Sequence, residues 1–291
     1  MDNLTHTLTG LMLSRCGLDR GQRDTPAMLM LAANAPDIDA YPFFTDQLDY
    51  LEIHRGYTHA LAFSPFIALL PIAIVAAFTK QRPSLRLWLG SWLVVLSHLV
   101  LDWTNVYGIR MLLPFSDRWL RLDITNVVDP VIWLILLVSV AIPAVLGLVS
   151  SEIGAGKVGG VRRTWAWIAM VLLLSYEGVR WTSHQRVIDH VNALLWMDEP
   201  AQAAYAFPDS FGTLSWRAVV EGEDFFYELP ADFSGNFSMR DGHAEYKIGE
   251  SPNVDAARTT RTFQVVESFN HVPFWRISPL VDETQIGRAH V

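Results

Sequence analysis

One cysteine, Cys16, stands in 291 residues. That scarcity excludes an intramolecular disulfide framework and any cysteine-rich zinc module, so a bound metal has to rest on histidine and carboxylate. Charge is sparse too, at 18% of residues, and Lys+Arg 22 against Asp+Glu 30 gives a net charge of −8. The basic excess that phosphate-backbone binding needs is missing, which argues against nucleic acid as a partner. The first residues lack a basic stretch, and no small-x-small cleavage pattern follows them, so this end reads as retained rather than as a cleaved signal.

What is present is apolar. Hydrophobic residues make up 51% and mean hydropathy is +0.23, too high for an ordinary soluble chain. The acidic excess lies wholly in the last third. Residues 1–183 carry 14 basic and 14 acidic side chains, whereas residues 184–291 carry 8 and 16.

Runs over residues 61–79, 87–101 and 131–149 approach the ~20 apolar residues that a helix needs to cross a bilayer. A fourth, residues 165–179, is interrupted only by Ser175 and Glu177. Residues 7–18 and 26–35 are apolar but short and read as packed or re-entrant helices. Three basic clusters fall on alternate turns: Arg15, Arg20 and Arg23; Lys80, Arg82 and Arg86; Lys157, Arg162 and Arg163. An up-and-down path puts all three on one side, which the positive-inside bias makes cytoplasmic. The opposite, extracytoplasmic face then receives His6, Asp37, Asp39, His54, His59, the turn after His98, Asp123, Asp129 and the whole chain beyond Arg180. This predicts a multi-pass membrane protein, with membrane lipids around it.

Polar residues on that shared face form the candidate site. His98 and Asp102 are four apart on one helical face, with Cβ atoms about 5–6 Å from each other. Ionisable side chains in or beside lipid are costly and by default functional. His54-Arg55-Gly56-Tyr57-Thr58-His59 precedes a long apolar run. Five residues is not a helical repeat, so His54 is expected from a loop and His59 from the first turn of a helix capped by Thr58. Arg55 is positioned to clamp an anionic substrate. Asp37 and Asp39, read as an extended segment after Pro36, face the same way, and two such carboxylates repel unless a cation joins them. His6 is the weakest member. Asp123 is carried as a catalytic candidate with Arg55, and Asp129 reads chiefly as a helix cap before Pro130. Together these give an N/O donor set of the kind that holds two or more divalent ions, which activate water for hydrolysis.

These motifs, with Met1-Asp2, Thr5-His6, Tyr107-Gly108 and the run Pro114-Phe115-Ser116, resemble the bacterial YdjM-type family over residues 1 to about 195. Its members are described as LexA-regulated, membrane-bound metal-dependent hydrolases. The resemblance therefore implies an inner-membrane enzyme of the SOS response. More distantly, the His98 and Asp102 pair is similar to one in zinc-dependent phospholipase C and P1-type nuclease folds, which bind three zinc ions. On that likeness His6, Asp37 or Asp39, His54 and His59 are the counterparts of further ligands. Those folds also use an H-x-x-x-E pair. None occurs here, so two ions are expected, zinc first, with manganese, iron or magnesium as alternatives.

From Tyr205 the pattern changes to short alternating runs. Residues 214–220 and 225–229 around Glu221-Gly222-Glu223-Asp224 form a hairpin signal, and residues 237–240, 244–248 and 261–267 are further expected strands. The fold class is thus mainly α: a polytopic membrane helical bundle and metal-site domain over residues 1–195, then a small extramembrane β-rich domain over 205–284. Residues 285–291 match a translated sequencing adapter and are expected to be a non-native tail. Three functions fit these features. The first is a hydrolase acting on a phosphoester, or on a small-molecule or lipid-linked substrate. A metal-ion transporter is second, and a non-catalytic membrane protein with a structural metal site third. Transporters place their ionisable residues near the midplane; here they lie toward one end.

Overall fold

The computed structural model describes residues 1–18, 24–79, 82–152, 159–209, 215–249, 251–279 and 284–286. Arg20, Arg23, Lys80 and Lys157, expected to mark the cytoplasmic turns, lie outside these residues, as do residues 287–291 of the expected tail. The described helices begin with α1 (Asn3–Leu13), α2 (Thr25–Ala32), α3 (Gln47–Ile53), α4 (Ser64–Ile67), α5 (Leu69–Phe78), α6 (Leu85–Thr104), α7 (Pro130–Glu152) and α8 (Gly159–Asn192). Strands β1 (Leu195–Trp196), β2 (Glu199–Pro200), β3 (Ala203–Pro208), β4 (Ser215–Glu221), β5 (Phe225–Asp232) and β6 (His243–Tyr246) follow, then α9 (Pro252–Arg258), α10 (Arg261–Phe269), β7 (Ile277–Pro279) and β8 (Thr284–Ile286). The chain is mostly helical with a small antiparallel sheet toward its C-terminus. It divides into two compact units. The first comprises Met1–Asp39 and Arg55–Thr182; the second comprises Ala40–His54, Ser183–Asp209 and the described residues after Leu214.

Short polar side chains start the helices of the first unit. Asp2 caps α1 by accepting from Leu4 N at 3.0 Å and Thr5 N at 3.1 Å, and Trp133 Nε1 donates to its other oxygen at 3.1 Å, tying α1 to α7. Asp129 caps α7 through Val131 N at 2.9 Å and Ile132 N at 3.2 Å, the role expected ahead of Pro130.

α6 is the organising element. Val94, Val95 and Leu99 join Met28, Leu29, Ala32, Ala33, Ile72 and Val75 in one buried cluster with α2 and α5. Leu101 joins a second with Leu8, Met12, Ile132, Leu136, Ala166, Ala169 and Leu173 from α1, α7 and α8. His98 and Asp102, one turn apart and 1% and 0% exposed, fall at the seam between the two apolar faces. α1 and α2 approach closely because Gly10 has no Cβ: one built there would lie 2.8 Å from Ala33 Cβ and 2.9 Å from Leu29 O. Small residues permit such close packing between apolar helices.

Among the described residues, α6 and α7 are long and apolar enough to cross a membrane. The most apolar part of α7 is 22% buried against 44% for α6, and α7 presents Leu134, Leu137, Val145, Leu148 and Val149 outward. Four spans were expected; two helices qualify among the described residues, or three if the bent pair Gln47–His59 and Ser64–Phe78 is one broken span. Residues 61–79 form α4 and α5 rather than one long helix. Pro71 has no N–H to give to Ile67, and the helix breaks at Ala68. Side chains of α6 take up acceptors around the break: Trp88 Nε1 donates to Pro65 O at 2.9 Å, Ser91 Oγ to Ala68 O at 2.7 Å and Trp92 Nε1 to Ser64 Oγ at 2.9 Å. The other run, residues 165–179, lies inside α8, where Glu177 and Arg180 lower its apolarity.

In the second unit β3, β4, β5 and β6 form an antiparallel meander in that order, with Ala206 opposite Ala218 and Ala218 opposite Leu229. The expected hairpin is β4 and β5, closed by Gly222 N to Phe225 O at 2.9 Å. Residues 261–267, expected as a strand, are instead the helix α10. Thr260 caps it by accepting from Phe263 N at 3.3 Å, and Phe263 and Val265 are buried. A short stretch of mixed apolar and polar residues suits either period, and here the cap decides. Residues 237–240 also depart from the expected strand; Met239–Asp241 is a 3-10 turn.

Candidate metal centre

Three stretches supply the centre, each through residues of the first unit. The first is the 3-10 helix Pro36–Phe44, which carries Asp37 and Asp39. These two were expected on an extended strand; Pro36 follows the end of α2 and the chain coils there instead, with Asp37 N donating to Asn34 O at 3.2 Å. The second is the 3-10 turn Tyr57–His59. Thr58, expected as the cap of a long helix, lies inside this turn, and its hydroxyl donates to Asp39 Oδ2. The third is α6.

Each imidazole is aimed by its Nδ1. His98 Nδ1 meets the carbonyl of Ala33, at the open C-terminal end of α2, at 2.7 Å. A carbonyl only accepts, so this nitrogen carries the proton. His59 Nδ1 lies 3.0 Å from Thr58 Oγ1, whose own proton is given to Asp39, and 3.4 Å from Asp39 Oδ2. It too must donate. Both Nε2 lone pairs consequently point inward, 3.1 Å from each other.

Two carboxylate oxygens face the same spot. Asp37 Oδ1 is 3.4 Å from His59 Nε2 and 3.6 Å from His98 Nε2, and Asp102 Oδ2 is 3.4 Å from each. These four acceptors lie within 4.8 Å of one another, and Asp102 Oδ2 has no hydrogen bond among the described residues. Acceptors so gathered repel unless a cation joins them. Four ligands at zinc-like bond lengths of about 2.0–2.2 Å stand roughly 3.3–3.6 Å apart at the corners of a tetrahedron, close to the 3.1–3.6 Å between the imidazole nitrogens and from them to the carboxylate oxygens. Asp37, His59, His98 and Asp102 can therefore hold a metal ion.

The other oxygen of Asp102 has the opposite surroundings. Oδ1 pairs with the amino group of Met1, accepts from Asn105 Nδ2 at 3.1 Å, and lies 3.3 Å from Arg55 Nη2 and from His6 Nε2. Arg55 also donates from Nη1 to Asn105 Oδ1 at 3.0 Å and Gly108 O at 3.2 Å. Its backbone stands at φ 61, left-handed and costing about 1–3 kcal/mol for a side chain of this kind. That conformation is held by Arg55 N donating to Asp39 Oδ2 at 3.1 Å and Arg110 N donating to Arg55 O at 3.0 Å.

The remaining predicted residues sit as follows. His6 is buried and stacked on His98, with centroids 3.7 Å apart; it faces Asp102 Oδ1, outside the four-atom set. Asp39 orients Thr58 and His59 from behind. His54 is the C-cap of α3, stacked on Tyr50 at 4.7 Å, and belongs to the second unit. Asp123, buried at φ 54, is not in the set; its charge neighbour is Arg121. Asn105 is not among the residues expected from sequence, although it follows Asp102 by three residues and so shares its helical face.

Thr58→Val removes the hydroxyl that fixes the His59 tautomer. The expected result is cation affinity lower by about 10- to 100-fold, the usual cost of losing such an outer partner. Competition titration against a chromophoric chelator reads it, and Thr58→Ser should recover most of the loss.

Residues 1–187 match the family model described as YdjM inner membrane protein. Across nearly its whole length the chain is similar to the uncharacterized protein YfhP of Bacillus subtilis (strain 168): 26% identity over 294 residues, 98% of this chain and 85% of the relative. A shorter likeness, 32% over 122 residues, covers 40% of this chain and 68% of the inner membrane protein YbcI of Escherichia coli (strain K12). No solved structure matches the chain.

Proposed function

Because the chain belongs to the YdjM inner membrane protein family, we propose that it is a metal-dependent hydrolase of the bacterial inner membrane, acting on a phosphoester or lipid-linked substrate at the extracytoplasmic face. The observation that carries this reading is the inward meeting of four acceptors, His59 Nε2, His98 Nε2, Asp37 Oδ1 and Asp102 Oδ2, at spacings a single divalent cation fits. Zinc suits two imidazoles and two carboxylates in a tetrahedral frame. Such a cation, when bound, supplies Lewis acidity to water and to phosphoryl oxygen.

The protein's own groups do the positioning. Ala33, Thr58 and Asp39 lock the two imidazoles, while Arg55 and Asn105 turn Asp102 so that Oδ2 faces the two Nε2 atoms and would join them in holding a cation. Asp37, with a side chain 11% exposed against 0% for its three fellows, is the edge from which water and substrate reach the centre. His6 is left out of the ligand set, since it lies on the cationic side of Asp102, where the Met1 amino group and Arg55 oppose a further positive charge.

One observation favours a second reading. Four protein ligands already complete a tetrahedron, as structural zinc sites do, whereas catalytic sites keep a position open. A non-catalytic protein whose cation clasps α6 to the two 3-10 segments would look the same. Metal analysis of detergent-purified protein, with a panel of phosphomonoesters and phosphodiesters, separates the two. Metal-dependent turnover supports the hydrolase. Stoichiometric metal with no turnover on any substrate overturns it in favour of the structural centre.

The orientation follows from Arg15, Arg82, Arg86, Arg162 and Arg163, which the positive-inside bias assigns to the cytoplasm. Gln264→Cys in a Cys16→Ser background is expected to react with a membrane-impermeant maleimide in intact spheroplasts. Labelling only after lysis would reverse the assignment.

A further inference from the structure

α6 sets the depth of the centre in the membrane. Its 20 residues rise about 30 Å, the thickness of a bilayer's hydrocarbon core. His98 and Asp102 come six and two residues before its end at Thr104, so they lie within roughly 10 Å of the membrane edge, where acyl chains give way to headgroups. The chain that carries His59 then runs down beside α6. His59 Nε2 meets His98 Nε2, Ser64 Oγ accepts from Trp92 Nε1, and Ala68 O accepts from Ser91 Oγ. From His98 to Ser91 is two helical turns, about 10 Å deeper. Leu61, Phe63 and Phe66, all exposed on this descending stretch, are therefore at acyl-chain depth.

The stretches that carry the ligands also turn apolar side chains outward. Ile38, 56% exposed, stands between Asp37 and Asp39, and the exposed Tyr57 precedes His59 by two residues. The Tyr57 ring meets that of Phe63 edge-on, with centroids 5.5 Å apart. Leu61 N donates to Met111 O at 3.0 Å, which brings in the loop carrying Leu112 and Phe115, the latter 88% exposed. Residues 60–79 and 111–116 contain no charged side chain. Charge flanks that loop instead, at Arg110, Asp117 and Arg118. Arg55, expected from sequence to meet a substrate anion, is buried and turned inward on Asp102, Asn105 and Gly108. Large apolar side chains gathered at a water-facing entrance would be costly to solvate, whereas against acyl chains that cost disappears.

We propose that the centre is served from the bilayer: its ligand is a membrane phospholipid that arrives sideways, with acyl chains along Tyr57, Leu61, Phe63, Leu112 and Phe115 and its polar ester group at the metal. That the lipid is cleaved rests on the hydrolase reading; that it is seated here does not.

The test is photolabelling of the full-length protein in vesicles of phosphatidylethanolamine and phosphatidylglycerol that contain a trace of phosphatidylglycerol with a diazirine in its acyl chain. Labelling is compared between chelated and zinc-loaded protein and mapped by peptide mass spectrometry. Leu137 and Leu148, on the outward face of α7, report lipid that merely surrounds the protein. Labelling at residues 57–63 and 111–115 is expected to rise several-fold with zinc while that of α7 stays constant. Phe63→Ser combined with Phe115→Ser should cut the zinc-dependent part about tenfold or more, since two large apolar contacts are lost, with zinc content unchanged. If that pair does not purify folded, the zinc response of the parent protein decides the matter. Absence of label from both segments, or label there that ignores zinc as α7 does, overturns the proposal. Zinc-dependent labelling without turnover of any ester would sink the hydrolase reading and leave the seated lipid. Turnover of a water-soluble phosphodiester, with labelling indifferent to zinc, would do the reverse.

Discussion

His98→Ala is expected to abolish tight cation binding. Apparent affinities of four-ligand zinc sites amount to about 10–16 kcal/mol, so one ligand in four carries roughly 3 kcal/mol, a loss of about 100-fold or more. The effect is enlarged here because His98 does two things: its Nε2 enters the donor set, and its Nδ1 ties down the end of α2 through Ala33. Metal content after dialysis against weak chelator reads the result, and Asp102→Ala should behave alike. His6→Ala is the control. Its ring stacks on His98 and faces Asp102 Oδ1, away from the four-acceptor set, so affinity should change by less than about tenfold, below even the cost of losing an outer partner of a ligand. Equal loss in His6→Ala and His98→Ala would show that the centre has been drawn in the wrong place.

Arg55→Ala is expected to destabilise the fold by about 3–5 kcal/mol, the cost of breaking a buried ion pair and leaving one partner behind. Asp102, Asn105 and Gly108 all lose a donor together. A companion variant separates side chain from backbone. Because Arg55 holds φ 61, Arg55→Gly relieves a left-handed conformation and should recover about 1 kcal/mol relative to alanine. Denaturant midpoints in mild detergent measure both. Identical midpoints for Arg55→Ala and the parent chain would remove the arginine from its positioning role.

How much of this could be read beforehand differs from residue to residue. The pairing of His98 with Asp102 was legible because four residues make one helical turn, and the caps at Asp129 and the β4–β5 turn follow from local rules. α6 and α7 announced themselves by length and apolarity. The break at Ala68 was legible in principle from Pro71, but hydropathy alone smooths over a proline. Asp37 and Asp39 are legible as a carboxylate pair, but an extended segment was expected, and it is a 3-10 helix that brings both carboxylates to His59. Least legible were the interactions that depend on tertiary approach. Nothing in the string places the carbonyl of Ala33 under His98, or turns Arg55 away from solvent. The strand expected at residues 261–267 failed because a short run fits both periods until its cap is known.

Asp39 and Arg55 are joined by a hydrogen bond at 3.1 Å although fifteen residues, Ala40–His54, separate them. The chain thus leaves the metal-binding neighbourhood and returns through the same doorway, and the entropy of closing that detour is offset by bonds that also orient His59. Insertions or deletions inside the detour can accumulate without displacing either doorpost. Mutations at the posts, by contrast, loosen two ligand-bearing stretches at once.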